Sequence, residues 1–115
     1  MMQELDFFID NSKKDFGILK KWTNTKVLSR EEAIDNLRNL VSYKIAKMLD
    51  SDFDRLLELL YRADINETRV KTCFHSAKPS KEVALELADL YISRLIEKFR
   101  TRQEYNAKNI IGDWD

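Results

Sequence analysis

The sequence predicts an all-α protein, and three observations support this fold class. The chain contains two Gly and one Pro, too few for the many tight turns of a β-sandwich or barrel. Apolar residues recur at spacings of three and four over most of the chain, which is the period of an amphipathic helix. The C-terminal part also carries a polar stripe with this period, at Glu82, Glu86, Asp89, Ser93 and Glu97. We therefore expect a compact bundle of four main helices plus short N-terminal helical elements.

The first segment, residues 1–28, is the least regular part of the chain. Its apolar residues follow helical spacing only in pieces, because a polar run around Asn11 and Ser12 and a glycine at Gly17 interrupt the pattern. Asn11 or Ser12 is the expected N-cap of a short helix. We predict that this segment is an N-terminal extension, with one or two short helices that pack on the domain.

Residues 29–105 are predicted to form a single helical domain, and residues 106–115 a C-terminal tail. Most of the domain lies in four helices, over about residues 30–50, 52–64, 67–77 and 81–104. The first helix opens with Ser29 followed three residues later by Glu32, which is the capping-box pattern of a helix N-terminus. Asn66 is the expected cap of the third helix. On the second helix, one buried apolar face is predicted, formed by Phe53, Leu56, Leu57, Leu60 and Tyr61.

The last helix is apolar over such a wide arc that it should pack on more than one neighbour or on another subunit. The apolar residues form two strips along this helix. Leu87 and Leu90 belong to the first strip, and Leu85 and Ile92, seven residues apart, define the second strip beside it. The candidate interface residues are Leu85, Ile92, Ile96 and Phe99. If the N-terminal segment does not cover this strip, a two-fold homodimer is expected, because monomers rarely expose a large apolar patch.

Composition argues against several classes of function. The 20 Lys and Arg residues balance the 20 Asp and Glu residues, so no bulk charge favours nucleic acid or an anionic membrane, although this leaves room for a local patch. One Cys and one His exclude an internal disulfide framework and an all-N/S zinc site within one chain. With two Gly, neither a P-loop nor a dinucleotide-binding loop is available in its usual form. We therefore predict no catalytic residue, no cofactor and no metal ion, and an enzyme is the least favoured class.

Two local patterns suggest chemistry but lack the residues to perform it. The run from Asp50 to Asp54 imitates the start of a calcium loop, but Arg55 replaces the required Gly and Tyr61 the required Glu. Cys73 and His75 lie about 200° apart around the predicted helix, so they cannot form a nucleophile–base pair. Capping explains the acidic run, while Cys73 is expected in the core and His75 on the surface.

The most specific alternative is a DNA-binding helix-turn-helix over about residues 53–64 and 67–77. With Asp64 at the turn, apolar or small residues occupy the buried positions of that motif, namely Leu59, Ala63, Ile65, Val70 and Cys73. The residues that the second helix would present to the major groove are Thr68, Lys71, Thr72 and His75. The chain departs from the motif in two places, because Leu60 is larger than usual before the bend and Asp64 replaces glycine.

The second and third helices carry a resemblance to a known set of proteins. The chain reads Asp52-Phe53, then Leu59-Leu60-Tyr61-Arg62, then Asp64-Ile65-Asn66-Glu67. This pattern is similar to the D-F…L-Y-R-x-D-[IV]-[SN]-E signature of small, uncharacterised, all-helical bacterial proteins, in which a long C-terminal helix follows. The resemblance covers about residues 33–105. It implies a helical fold, and it transfers no functional residue because no activity is assigned to the set.

The function that these observations favour is protein–protein interaction or self-association, without catalysis. The chain has no apolar run close to the roughly 20 residues that cross a bilayer, and it begins without the basic start of a signal peptide. We therefore expect a small, soluble, cytoplasmic bacterial protein with an unidentified protein partner or a second copy of itself as its partner. Nucleic acid is the less favoured partner, and no membrane is expected.

Overall fold

The computed structural model describes residues 4–23 and 29–112, with side chains described through residue 105. Within these residues the chain forms helices and turns and no strand, so the predicted all-α bundle is confirmed. The elements are α1 (Glu4–Phe16), a 3₁₀ turn (Lys20–Trp22), α2 (Arg30–Ser51), α3 (Phe53–Arg62), α4 (Glu67–His75) and α5 (Ser80–Gly112). The four main helices are therefore present, and one further α-helix precedes them.

Two helices begin at the polar caps that the sequence predicts. The Ser29 hydroxyl accepts a hydrogen bond from the backbone N–H of Glu32 at 3.2 Å, which begins α2. The Asn66 side-chain oxygen accepts one from the N–H of Arg69 at 3.1 Å, which begins α4. Each cap satisfies a donor that the first turn of a helix would otherwise leave without a partner.

α1 is one continuous helix, so the predicted N-cap at Asn11 or Ser12 is wrong. The Asn11 amide donates a hydrogen bond to the carbonyl of Phe7 at 2.8 Å, and Ser12 is fully buried. The helix ends at Gly17, which has a φ of 69° and donates its N–H to the carbonyl of Lys13 at 3.0 Å. Glycine takes this left-handed conformation at little steric cost, which makes it the usual residue after a helix C-terminus.

α2 and α5 form the centre of the bundle. α1 packs on both of them, α3 packs on α2, and α4 packs on α5. At 1.5 Å per residue, the 33 residues of α5 extend about 50 Å, close to the 54 Å long dimension of the molecule. α5 is longer than predicted: it continues through part of the expected tail to Gly112, and residues 113–115 lie outside the described part. The largest fully buried side chains come from several elements, and include Tyr91, Phe8, Ile18, Leu37, Ile45, Leu56 and Leu87.

α1 covers part of the second apolar strip of α5, at Phe99. The rings of Phe7 and Phe8 lie 5.5 and 6.5 Å from the ring of Phe99, measured between centroids. Farther along α1, the ring of Phe16 meets that of Tyr91 edge-on at 4.9 Å. Tilted and edge-to-face contacts of this kind are the favoured geometry for aromatic pairs. Residues 4–16 therefore share the hydrophobic core of the main helices.

α3 differs from the prediction in which of its apolar residues are buried. Leu56 and Leu60 are buried, but Phe53, Leu57 and Tyr61 are 42%, 38% and 83% exposed. α3 packs on α2 with the face that carries the buried leucines, and its remaining apolar residues lie along one flank of that face. Three of the five residues predicted for the buried face of α3 therefore lie at the protein surface.

An ion pair joins the start of α1 to the start of α2. Arg30 donates hydrogen bonds from Nη2 to Oε2 of Glu4 at 2.9 Å and from Nε to Oε1. The hydrogen bond with Arg30 lowers the pKa of Glu4 from its ordinary value of 4.5. Because both side chains are partly exposed, solvent screens much of this interaction.

We expect Glu4→Gln to lower the free energy of unfolding by about 0.5 kcal/mol at pH 7. The pKa of Glu4 is lower in the folded than in the unfolded state, so its carboxylate contributes fully above about pH 4.5 and loses its contribution as the pH falls through the folded pKa. Urea melts of both proteins between pH 7 and pH 3 should therefore converge at the acid end. Asp6→Asn, an exposed change in the same turn, is the control, and a difference that persists at pH 3 would contradict the assignment.

Candidate functional site

The turn between α3 and α4 has an anchored geometry. Asp64 has a φ of 60°, and its N–H donates to the carbonyl of Tyr61 at 3.0 Å. Its carboxylate accepts a hydrogen bond from Nη2 of Arg94 on α5 at 2.9 Å, and Arg94 also donates to Glu97 at 3.1 Å. Aspartate tolerates the left-handed conformation better than most residues with a side chain. The sequence and α5 together therefore fix this turn.

An apolar groove lies between α3 and α4, and we refer to it as the α3–α4 groove. Its volume is about 340 Å³. Most of its lining is apolar, and the full lining is Leu57, Leu60, Tyr61, Ile65, Glu67, Val70, Lys71 and Phe74. The two charged residues in this set, Glu67 and Lys71, form an ion pair with each other at 3.4 Å. The groove therefore offers a continuous apolar surface with little net charge of its own.

The α3 side of the groove is a line of exposed apolar side chains. Phe53, Leu57 and Tyr61 follow one another at intervals of four residues, so they lie one turn apart along the helix. At one end, the ring of Phe53 meets the ring of Phe74 on α4 edge-on, with 5.2 Å between centroids. α3 and α4 thus form one apolar surface across the groove.

Two acidic residues border this line. Asp54 and Glu58 are exposed and four residues apart, on the polar side of α3 next to Leu57 and Tyr61. Neither forms an ion pair with another residue in the described part of the chain. These two residues therefore place negative charge beside the apolar line, while two exposed arginines, Arg55 and Arg62, lie farther round α3.

α4 presents the predicted DNA-contact residues on one face. Thr68, Lys71, Thr72 and His75 are all exposed, at the spacing of neighbours on a helix surface. The positions that a helix-turn-helix buries are buried or half-buried, and these are Leu59, Ala63, Ile65, Val70 and Cys73. The left-handed φ at Asp64 is the conformation that glycine usually supplies in a turn.

The charge on this face of α4 is balanced rather than basic. Glu67 pairs with Lys71, and the exposed carboxylate of Asp64 stands just before the helix. A little farther along, Lys78 is paired with Glu86 of α5. This face therefore lacks the excess of positive charge that phosphate binding needs.

The four predicted interface residues of α5 are not an exposed patch. Ile92 and Phe99 are buried within the single chain, and Leu85 and Ile96 are half-buried. α1 covers Phe99 directly through Phe7. The α5 surface through residue 105 therefore does not supply the large apolar patch on which the dimer hypothesis depends.

The titratable groups in the core serve packing. Cys73 is buried, and this burial raises the pKa of its thiol. The hydroxyl of Tyr91 donates to a carboxylate oxygen of Asp15 at 2.6 Å, and burial raises the pKa of Tyr91 far above its ordinary value. His75 is exposed. Among residues 4–23 and 29–105, no group of three His, Cys, Asp or Glu side chains comes close enough together to hold a metal ion.

The α3–α4 groove is not among the predicted features, although the sequence of α3 carries a signal for it. The apolar residues of α3, from Tyr61 round to Leu59, span about 200° of the helix surface at 100° per residue. One packed neighbour covers a stripe of roughly half that width. An arc this wide on a short helix predicts that some of its apolar residues stay exposed.

The fold and the groove define a class of protein: a helical bundle with an apolar cleft on its surface. Comparison with protein families, curated proteins and solved structures finds no match to the chain. The resemblance to small helical bacterial proteins stays a prediction from the motif. In the described part of the chain, no helix is both long enough and apolar enough to span a membrane.

Proposed function

We propose that the protein is a non-catalytic interaction module that binds an amphipathic helix of another protein in the α3–α4 groove. The observation that carries the proposal is the exposed line of Phe53, Leu57 and Tyr61 beside the groove. A groove between two helices is a recurring receptor for a helix whose apolar residues repeat at intervals of three and four. The proposal includes the cytoplasmic location that the sequence predicts.

The border of the groove favours a basic partner. Asp54 and Glu58 supply exposed negative charge along α3, whereas the charges of Glu67 and Lys71 on α4 offset each other. A bound helix would therefore place Lys or Arg residues beside α3, with its apolar residues against Leu57 and neighbouring side chains. Such complementary charge chiefly sets the association rate and the choice of partner.

A pair of synthetic helices tests this proposal. One peptide has Leu at positions i, i+3, i+4 and i+7 with Lys elsewhere, and the other replaces each Lys with Glu. In NMR titrations of the labelled protein, we expect the Lys peptide to shift resonances of α3 and α4 selectively. Tyr61→Asp should weaken this binding by about tenfold or more, the loss typical of a central interface residue. Tyr105→Asp, at another exposed tyrosine, is the matched control.

Three outcomes would contradict the proposal. They are equal binding of the Glu peptide, resonance shifts that lie mainly outside α3 and α4, and unchanged affinity of Tyr61→Asp. Light scattering adds a further check, because the monomer mass is 13.7 kDa. A species of twice that mass that Tyr61→Asp dissociates would assign the groove to a second copy of the chain instead of a different protein.

A DNA-binding helix-turn-helix is the second candidate, and the left-handed turn at Asp64 favours it. It ranks below the interaction module because Lys71 is paired with Glu67. If this candidate is correct, a 20-base-pair duplex should bind to the protein. Lys71→Ala should then reduce the slope of log Kd against log salt concentration by the amount expected for one phosphate contact, about 1. Duplex binding that does not respond to Lys71→Ala or Thr72→Ala would reject it.

A further inference from the structure

A second exposed surface lies where the 3₁₀ turn packs on α2. The ring of Trp22 is 42% exposed, and the ammonium nitrogen of Lys44 lies 5.3 Å from its centroid. On α2, the ring of Tyr43 is 58% exposed, and the ammonium nitrogen of Lys47 lies 4.7 Å from its centroid. We call these four residues, together with the exposed Lys20 and Lys21 of the 3₁₀ turn, the aromatic–lysine surface.

Positive charge is concentrated on this surface although the net charge of the chain is zero. Neither residues 16–29 nor residues 36–49 contain any Asp or Glu, and these stretches supply all four of its lysines. In the described part of the chain, none of the four lysines has a carboxylate within ion-pair distance. The nearest acid along α2 is Asp50, which follows Lys47 by three residues. The lysines are therefore available to an anionic ligand.

We propose that the aromatic–lysine surface binds single-stranded nucleic acid. Lysine ammonium groups attract the phosphates, and the rings of Trp22 and Tyr43 provide faces on which bases stack. Because an ammonium group lies over each ring, a base that stacks on the ring would displace it, and the same lysine could then contact the phosphate of that nucleotide. This combination of cations and exposed π faces is the usual basis of sequence-tolerant single-strand binding.

The two exposed rings favour a ligand that has base faces free for stacking. In a duplex the base faces are stacked inside, so the two rings would have no partner there. An anionic membrane would also attract the lysines, at about 1 kcal/mol each, so vesicles are included in the test. The proposal concerns a surface separate from the α3–α4 groove and does not depend on the groove's function.

Matched oligonucleotides test the stacking directly. Fluorescence anisotropy compares 12-nucleotide oligo(dT) and oligo(U) with an abasic strand that has the same number of phosphates. We expect oligo(dT) and oligo(U) to bind about tenfold more tightly than the abasic strand. The comparison of oligo(dT) with oligo(U) shows whether the surface prefers DNA or RNA. Trp22→Leu and Tyr43→Leu keep apolar packing but remove the π face, so each should weaken binding by about fivefold or more. Trp22→Phe keeps an aromatic ring and should therefore weaken binding less than Trp22→Leu does.

Removal of a lysine should change the salt dependence of binding. Lys44→Ala should reduce the slope of log Kd against log salt concentration by about 0.7, the value for one phosphate contact on a single strand. Tyr105→Leu and Lys81→Ala are the controls on other surfaces, and circular dichroism checks that every variant is folded. Equal affinity for the abasic strand, tighter binding of a duplex, binding only to vesicles that contain phosphatidylserine, or full affinity in Trp22→Leu and Tyr43→Leu would overturn the proposal.

Discussion

Replacing Ile92 with Glu should unfold the protein. Ile92 is 4% exposed and belongs to the main hydrophobic core. A carboxylate at this position would lose its hydration without gaining a partner, which costs several kcal/mol or forces local unfolding. Domains of this size have a free energy of unfolding of only about 5–15 kcal/mol, so one such change removes much of their stability. Far-UV circular dichroism at 25 °C should show a large loss of helical signal.

Two further variants make this result specific. Thr101→Glu adds the same charge at an exposed position of α5 and should leave the helical signal unchanged. Ile92→Val removes one methylene group and should cost only about 1 kcal/mol. If Ile92→Glu instead gave a folded monomer from a wild-type dimer, Ile92 would be an interface residue, as the sequence alone suggests, and the packing of α1 on α5 would be wrong.

Phe8→Ala should destabilise the protein by about 3–5 kcal/mol, the usual loss for a truncated buried aromatic residue. Phe8 is fully buried, and its ring packs edge-on against Phe7 and Phe99. Urea denaturation followed by circular dichroism measures this loss. Phe53→Ala, at a partly exposed ring, is the control and should cost roughly 1 kcal/mol.

The same melts test whether α1 unfolds together with the bundle. Because α1 shares the core of α2 and α5, tryptophan fluorescence and circular dichroism should report one coincident transition. An earlier transition that Phe8→Ala alone shifts would mean that α1 is a separately stable extension. In that case the cost of Phe8→Ala to the main transition would be small.

Local chemistry made two helix starts predictable, whereas Asp52 at the start of α3 makes no capping hydrogen bond. Ser29 and Asn66 cap helices because a short polar side chain can accept a hydrogen bond from a nearby N–H, and this depends only on neighbouring residues. The same rule failed at Asn11, because its amide bonds to the preceding turn and the helix continues. A polar residue inside a helix and a polar residue at its cap look alike in sequence when apolar spacing is irregular.

Burial was harder to predict, because it depends on where the neighbouring helices lie. The spacing of Phe53, Leu57 and Tyr61 indicates a helix face, but the position of α2 decides which face is covered. The burial of Leu59, Val70 and Cys73 around the turn was predictable from spacing, whereas the Trp22–Lys44 contact joins residues from two separate elements. The predicted interface on α5 assumed an uncovered strip, and α1 covers part of it.

The contact between Asp64 and Arg94 influences how the groove would meet a partner. Because Arg94 of α5 bonds to the turn between the two walls of the groove, we expect the walls to keep their spacing before anything binds. A receptor that is already in its binding geometry loses little conformational entropy on association, so most of the cost of ordering falls on the incoming segment. Among candidate partner helices with the same contact residues, those already helical in isolation should therefore bind most tightly.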